Sequence, residues 1–83
     1  NNSAEIILDL SGTTGLTEIP SRTFEHSYSL VEIILPDSVT EIGESVFFGC
    51  RYLKKVENLE NVSMLPKQAF SWCENLETIK KIE

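Results

Sequence analysis

Basic residues, histidine, cysteine and long apolar runs are all scarce in this chain, and each scarcity removes a class of function. Seven Lys and Arg stand against thirteen Asp and Glu, a formal net charge of −6. A phosphate backbone is repelled by such a chain, and no basic stripe interleaved with aromatics offsets the repulsion. Nucleic acid is therefore not an expected partner. Two cysteines and one histidine cannot close a four-ligand zinc site, and neither a metal nor a cofactor is expected. Any Ser-His or Cys-His dyad would have to use His26, which no motif places beside a nucleophile. The chain has no run near the roughly 18 apolar residues of a membrane span. Its first residues, Asn1-Asn2-Ser3, carry neither Met nor a signal-like apolar core, so a trimmed or processed piece is expected.

What is present is ordinary in amount and unusual in order. Apolar residues make up 41% and charged residues 24%, which points to a folded, soluble piece. At 83 residues the chain forms one domain, 1–83, and a chain this short hides only about 60% of its unfolded surface. The charge is lopsided. Residues 1–42 hold seven acids against Arg22 alone, and the remainder balances six against six.

The order lies in a repeat. Leu30-Val-Glu-Ile33-Ile-Leu35-Pro36 leads through Val39-Thr-Glu-Ile42-Gly43 and Val46-Phe47 to Cys50 and Leu53. Moved forward by 23 residues, its apolar positions land on Leu53, Val56, Val62, Leu65, Ala69, Phe70, Cys73, Leu76 and Ile79. Moved back, they land on Leu16, Ile19, Thr23, Phe24 and Leu30. Three aligned copies exclude coincidence. A first strand is expected over Glu5–Leu10, with Ile6, Leu8 and Leu10 on one face. The turn Ser11-Gly12-Thr13-Thr14-Gly15 carries two residues more than its counterpart after Leu35.

Pro20 and Pro66 share one repeat position, filled by Gly43 in the middle copy, and proline suits the first residue of a helical turn. Short helical turns of one or two turns are therefore expected there. Phe24, Phe47 and Phe70, each after a smaller residue, are expected to interdigitate between copies. The fold class is an α/β solenoid of period 23, with short parallel strands on one side and short helical turns on the other. About three units are followed by the terminal strand Leu76–Ile82. A single unit cannot enclose its own apolar face and is stabilised by the neighbour that covers it. A fragment or short version of a longer array is thus expected, or a chain that pairs end to end.

Leu-x-x-Ile-x-Leu-Pro, Val-Thr-x-Ile-Gly, a small residue before Phe, then x-x-Cys and x-x-Leu resemble the BspA-like leucine-rich repeats, also called the Treponema pallidum type. The middle copy, Leu30 to Leu53, matches nearly throughout. The third departs at Asn58, Leu59 and Pro66, and the first has Ser27 in place of cysteine. In the commoner leucine-rich repeat, asparagine stands where this chain has Ser38. Asn61 occupies that place in the third copy and is expected to bond turn backbone groups. The resemblance implies a cell-surface or secreted protein engaged in adhesion, binding host or other cell-surface proteins, with no catalytic residues. The alternative is a structural spacer or self-association arm without a ligand of its own.

A partner is best sought where the repeat leaves residues unused. The sheet surface between the inward positions offers Ile7 and Asp9, then Val31, Glu32 and Ile34, then Lys54, Lys55 and Glu57, then Glu77, Thr78 and Lys80. This surface runs from apolar and acidic to basic. His26, Gly49 and Trp72 share a variable column that is expected to be exposed, and tryptophan is a preferred interface anchor. With Phe48, Trp72 points to a contact on the convex side. Cys50 and Cys73 stand 23 apart and are expected to be buried free thiols. The sequons Asn1-Asn2-Ser3 and Asn61-Val62-Ser63 are expected to be unglycosylated.

Overall fold

The computed structural model describes residues 5–66 and 68–79, and the expected strand end at Lys80–Ile82 lies outside them. Four strands form a parallel sheet in the order β1 (Ile6–Asp9), β3 (Leu30–Ile34), β5 (Lys55–Glu57), β6 (Thr78–Ile79). A second pair, β2 (Glu18–Ile19) and β4 (Glu41–Ile42), makes a small parallel sheet of its own. Short β-branched runs bounded by Gly, Pro, Asn and Ser account for both.

Strand pairing sets the register between copies. Glu32 faces Lys55, Ile33 faces Val56 and Ile34 faces Glu57, each 23 residues apart, as are Lys55 and Thr78, and Glu18 and Glu41. Between β1 and β3 the offset widens: Leu8 faces Ile33 and Asp9 faces Ile34, 25 residues apart. The two extra residues after β1 account for the difference. By β2 they are past, and the 23-residue offset holds.

The side away from the larger sheet differs from the expectation. It is built of hydrogen-bonded turns, and the described residues contain one 3-10 helix, Leu59–Asn61, and no α-helix. Backbone conformation explains why. Arg22, Ser45 and Gln68, one repeat apart, all have positive φ, and so do His26, Gly49 and Trp72. A left-handed residue every fourth position stops a right-handed helix and suits the third position of a turn. The amides then divide between two jobs. Thr23, Glu25 and Ser27 donate back to Pro20, Arg22 and Phe24, while Arg22, Phe24 and His26 donate across to Glu44, Val46 and Phe48 of the next copy. The turn column is thus a hydrogen-bonded ladder, with its backbone donors used as a sheet uses them.

The core lies between the two sides and is densest in the middle copy. Ile33, Leu35, Val39, Val46, Phe47, Cys50 and Leu53 are fully buried, whereas Leu8, Leu10, Leu16, Phe70 and Leu76 of the outer copies are half-buried. Phe47 lies between Phe24 and Phe70, with ring centroids 5.6 and 5.2 Å away and planes within 5° and 9° of parallel. Interdigitation of the phenylalanines is therefore a continuous three-ring stack.

Candidate protein-binding surfaces

The pairing of the larger sheet gathers the candidate residues into two rows. Ile7, Glu32, Lys55 and Thr78 form one, and Asp9, Ile34 and Glu57 the other. Ile33 and Val56, between those rows in sequence, are buried. A third line runs from Val31 in β3 to the residues just before β5 and β6, where Lys54 donates its amide to the Val31 carbonyl at 2.7 Å and Glu77 donates to that of Lys54 at 2.9 Å.

Exposure along these rows is uneven. Ile7, Asp9, Lys54, Lys55 and Glu77 are exposed, while Val31, Glu32, Ile34 and Glu57 are half-buried. Thr78 is placed by its backbone alone, and Lys80 lies outside the described residues. Lys55 reaches Glu57 at 3.4 Å and Glu32 at 3.9 Å, so the cation is shared between two carboxylates. Asp9 accepts from the Ser11 hydroxyl at 2.6 Å and the Ser11 amide at 2.9 Å. The hydroxyl first, then the amide, hold its carboxyl below the usual range. The face therefore presents an apolar and acidic border beside an ion-paired centre.

The turn side carries a second feature, and here the column of His26, Gly49 and Trp72 is more constrained than its variability implied. All three residues take positive φ, and Gly49 is buried. A Cβ on Gly49 would come within 2.7 Å of His26 Cδ2, so the histidine ring leans over the glycine. That ring also stacks on Phe48 at 5.7 Å and Tyr28 at 5.9 Å. Trp72 is 68% exposed. Together these side chains enclose a notch of about 360 Å³. A neighbouring groove of about 610 Å³ shares Tyr28 as a wall and continues past Tyr52 to Val31 and Lys54 at the sheet.

Both surfaces are held by bonds between copies. Ser38 Oγ donates to the Leu16 carbonyl at 2.6 Å, and Asn75 Nδ2 to that of Arg51 at 2.8 Å. The asparagine that bonds backbone in the third copy is Asn58, whose Nδ2 reaches the Leu35 carbonyl at 2.7 Å and Asp37 Oδ1 at 3.0 Å. Asn61 ends the 3-10 helix and is exposed. Asn58 has φ 70, a conformation that asparagine tolerates, and this was the sequence signal available.

Cys50 and Cys73 are free thiols, donating to the carbonyls of Phe24 and Phe47 at 3.0 Å each. Burial raises the pKa of both, and that of Cys73 is pushed up to about 11, with nearby Cys50 adding to the effect. Protonated, inward-bonded sulfur is a poor nucleophile. No group of three or more His, Cys, Asp or Glu fit to hold a metal is found among the described residues. No helix among them is long and apolar enough to cross a membrane.

Tyr28 and Tyr52 escaped the sequence reading. They occupy adjoining columns on successive copies, and arranging the aromatics by repeat position would have set them beside Trp72 and His26. Comparison with protein families matches residues 6–83 to the model described as BspA type leucine rich repeat region (6 copies). No match is found among curated proteins. None is found among solved structures.

Proposed function

The chain belongs to the BspA-type leucine-rich repeat family, and from that premise we propose that it is an adhesion module of a cell-surface or secreted protein, binding host or other cell-surface proteins through its larger sheet. The repeats form a solenoid of 23-residue coils. Further coils, or a second copy placed end to end, cover the half-buried Phe24 and Phe70. The module carries no chemistry of its own. Its inward positions are spent on folding, and its one histidine is stacked between Phe48 and Tyr28.

The observation that supports this reading most is the strand register across the sheet. Ile7, Glu32, Lys55 and Thr78 share one row while the intervening Ile33 and Val56 are buried. Such a row places varied side chains at strand spacing, about 4.8 Å apart, on a rigid support. Val31, Ile34, Lys54, Glu57 and Glu77 extend the surface.

The test is solid-phase capture of extracellular host proteins by the intact chain and by a Lys54→Glu, Lys55→Glu, Lys80→Glu variant. Circular dichroism checks that the variant is folded. Capture by the intact chain that falls at least tenfold with charge reversal supports the sheet as the binding face. Capture that charge reversal leaves unchanged moves the site elsewhere. No capture by the intact chain favours a spacer or self-association arm.

A further inference from the structure

The turn-side grooves are not explained by folding. Trp72 holds a left-handed backbone, φ 66, that a bulky side chain adopts at a cost of about 1 kcal/mol, and it is left 68% exposed. Tyr28 and Tyr52 are 57% and 49% exposed. Three large rings, each with a hydrogen-bond donor on its rim, thus stand around two adjoining grooves that share Tyr28.

Charge narrows what these grooves accept. In the first, Arg51 is paired with Glu74 at 3.4 Å. In the second, Lys54 is matched by Glu5. Arg51 and Glu74 cancel in the first and Lys54 and Glu5 in the second, so neither groove offers the one-signed cluster that a phosphate or a polycation requires. Hydrogen-bonding capacity narrows it further. In the first groove Trp72 Nε1–H and the Arg51 N–H groups beyond its Glu74 contact donate; in the second Lys54 donates and Glu5 and Asn75 Oδ1 accept, and the tyrosine hydroxyls do either. The fitting ligand is neutral, has flat apolar faces and offers acceptors to the first groove.

We propose that the two grooves bind a proline-rich segment of a partner protein in the polyproline II conformation, with pyrrolidine rings on either side of Tyr28. Proline has no N–H, and polyproline II leaves every backbone carbonyl unpaired, which suits the donors Trp72, Arg51 and Lys54. Aromatic-lined grooves are the general solution for such segments, because the peptide is already extended before it binds. Gly49 is the position that opens the first notch: any side chain there meets the His26 ring. The inference rests on the chain being a protein-binding module; the second groove meets the sheet face at Val31 and Lys54, whereas Lys55 belongs to the sheet face alone.

Trp72 is the only tryptophan in the chain, so its emission reports on the first notch directly. The experiment titrates the intact chain with decaproline, with a glycine-serine decapeptide and with cellobiose. Decaproline is expected to give a saturable blue shift, and the other two none. Tyr28→Ala and Tyr52→Ala, each checked for folding by circular dichroism, are expected to weaken decaproline at least tenfold, while Lys55→Glu, outside both grooves, leaves it unchanged. The absence of a shift with decaproline overturns the proposal. So does a shift produced by cellobiose alone, or one that neither tyrosine substitution weakens. If decaproline fails while capture that Lys55→Glu alone weakens persists, this inference falls and the adhesion reading stands; if capture is also absent, both fall.

Discussion

Replacing Phe47 with alanine should be close to the limit of what the fold tolerates. Phe47 is fully buried and stacked on both faces, by Phe24 and Phe70. Phe→Ala in a core costs about 3–5 kcal/mol. Each stacked pair adds about 0.5–1.5 kcal/mol beyond its buried area, which places Phe47→Ala near 5 kcal/mol. A domain of this size has about 4–12 kcal/mol in total. Phe24 is half-buried with one stacking partner, and Phe24→Ala is expected to cost about 2–3 kcal/mol. Urea denaturation followed by far-UV circular dichroism measures all three proteins, and the double mutant gives the coupling, expected at about 0.5–1.5 kcal/mol. A loss below about 2 kcal/mol for Phe47→Ala, or one no larger than that of Phe24→Ala, would refute the stacked-ring account.

Other consequences are smaller. Gly49→Ala places a Cβ at positive φ against the His26 ring, and a loss of about 1–2 kcal/mol is expected, part of it recovered when His26→Ala removes the obstacle; thermal melts of the single and double variants check this. Asn58→Ala loses bonds to Leu35 and Asp37 and strains φ 70, so about 2 kcal/mol should go. Asn58→Gly, which relieves only the backbone, should lose about 1 kcal/mol less. Cys73 should resist alkylation in the native state. At pH 8 a thiol with pKa about 11 holds about a hundredfold less thiolate than one at 9.0, and iodoacetamide kinetics with and without urea measure the difference. The same shift links stability to pH. Between 9.0 and about 11 the unfolded chain has released the proton that the folded chain retains, so this contribution is full below pH 9 and lost as pH rises to 11. Urea midpoints across that range should fall.

The inward columns were legible because apolar identity is what the repeat preserves. Ile33, Val39, Val46, Phe47, Cys50 and Leu53 are all read from spacing alone, and all are buried. Even the two extra residues after β1 were visible, and they emerge as the 25-residue offset beside β3. The turns were not legible as turns. A one-turn helix and a run of β-turns place Val46, Phe47 and Cys50 alike, and what separates them is a left-handed backbone at Arg22, Ser45 and Gln68 that no glycine announces. The same holds for His26 and Trp72, where Gly49 was the only cue in the column. The sheet surface was legible by position, since alternation fixes which residues face outward. Its ion pairs around Lys55 were not, because they depend on which strands become neighbours.

Both surfaces exist only if successive copies are stacked in parallel one repeat apart. Scalar couplings transmitted through hydrogen bonds, measured by NMR on the isotopically labelled chain, test this directly. The account predicts that the amide of Lys54 couples to the carbonyl of Val31 and that of Glu77 to the carbonyl of Lys54, a constant step of 23 residues. On the turn side the amide of Phe47 should couple to the carbonyl of Ala69 and that of Gly49 to Ser71. Couplings confined to partners three or four residues away, or couplings between β3, β5 and β6 that a 23-residue register does not produce, would contradict it.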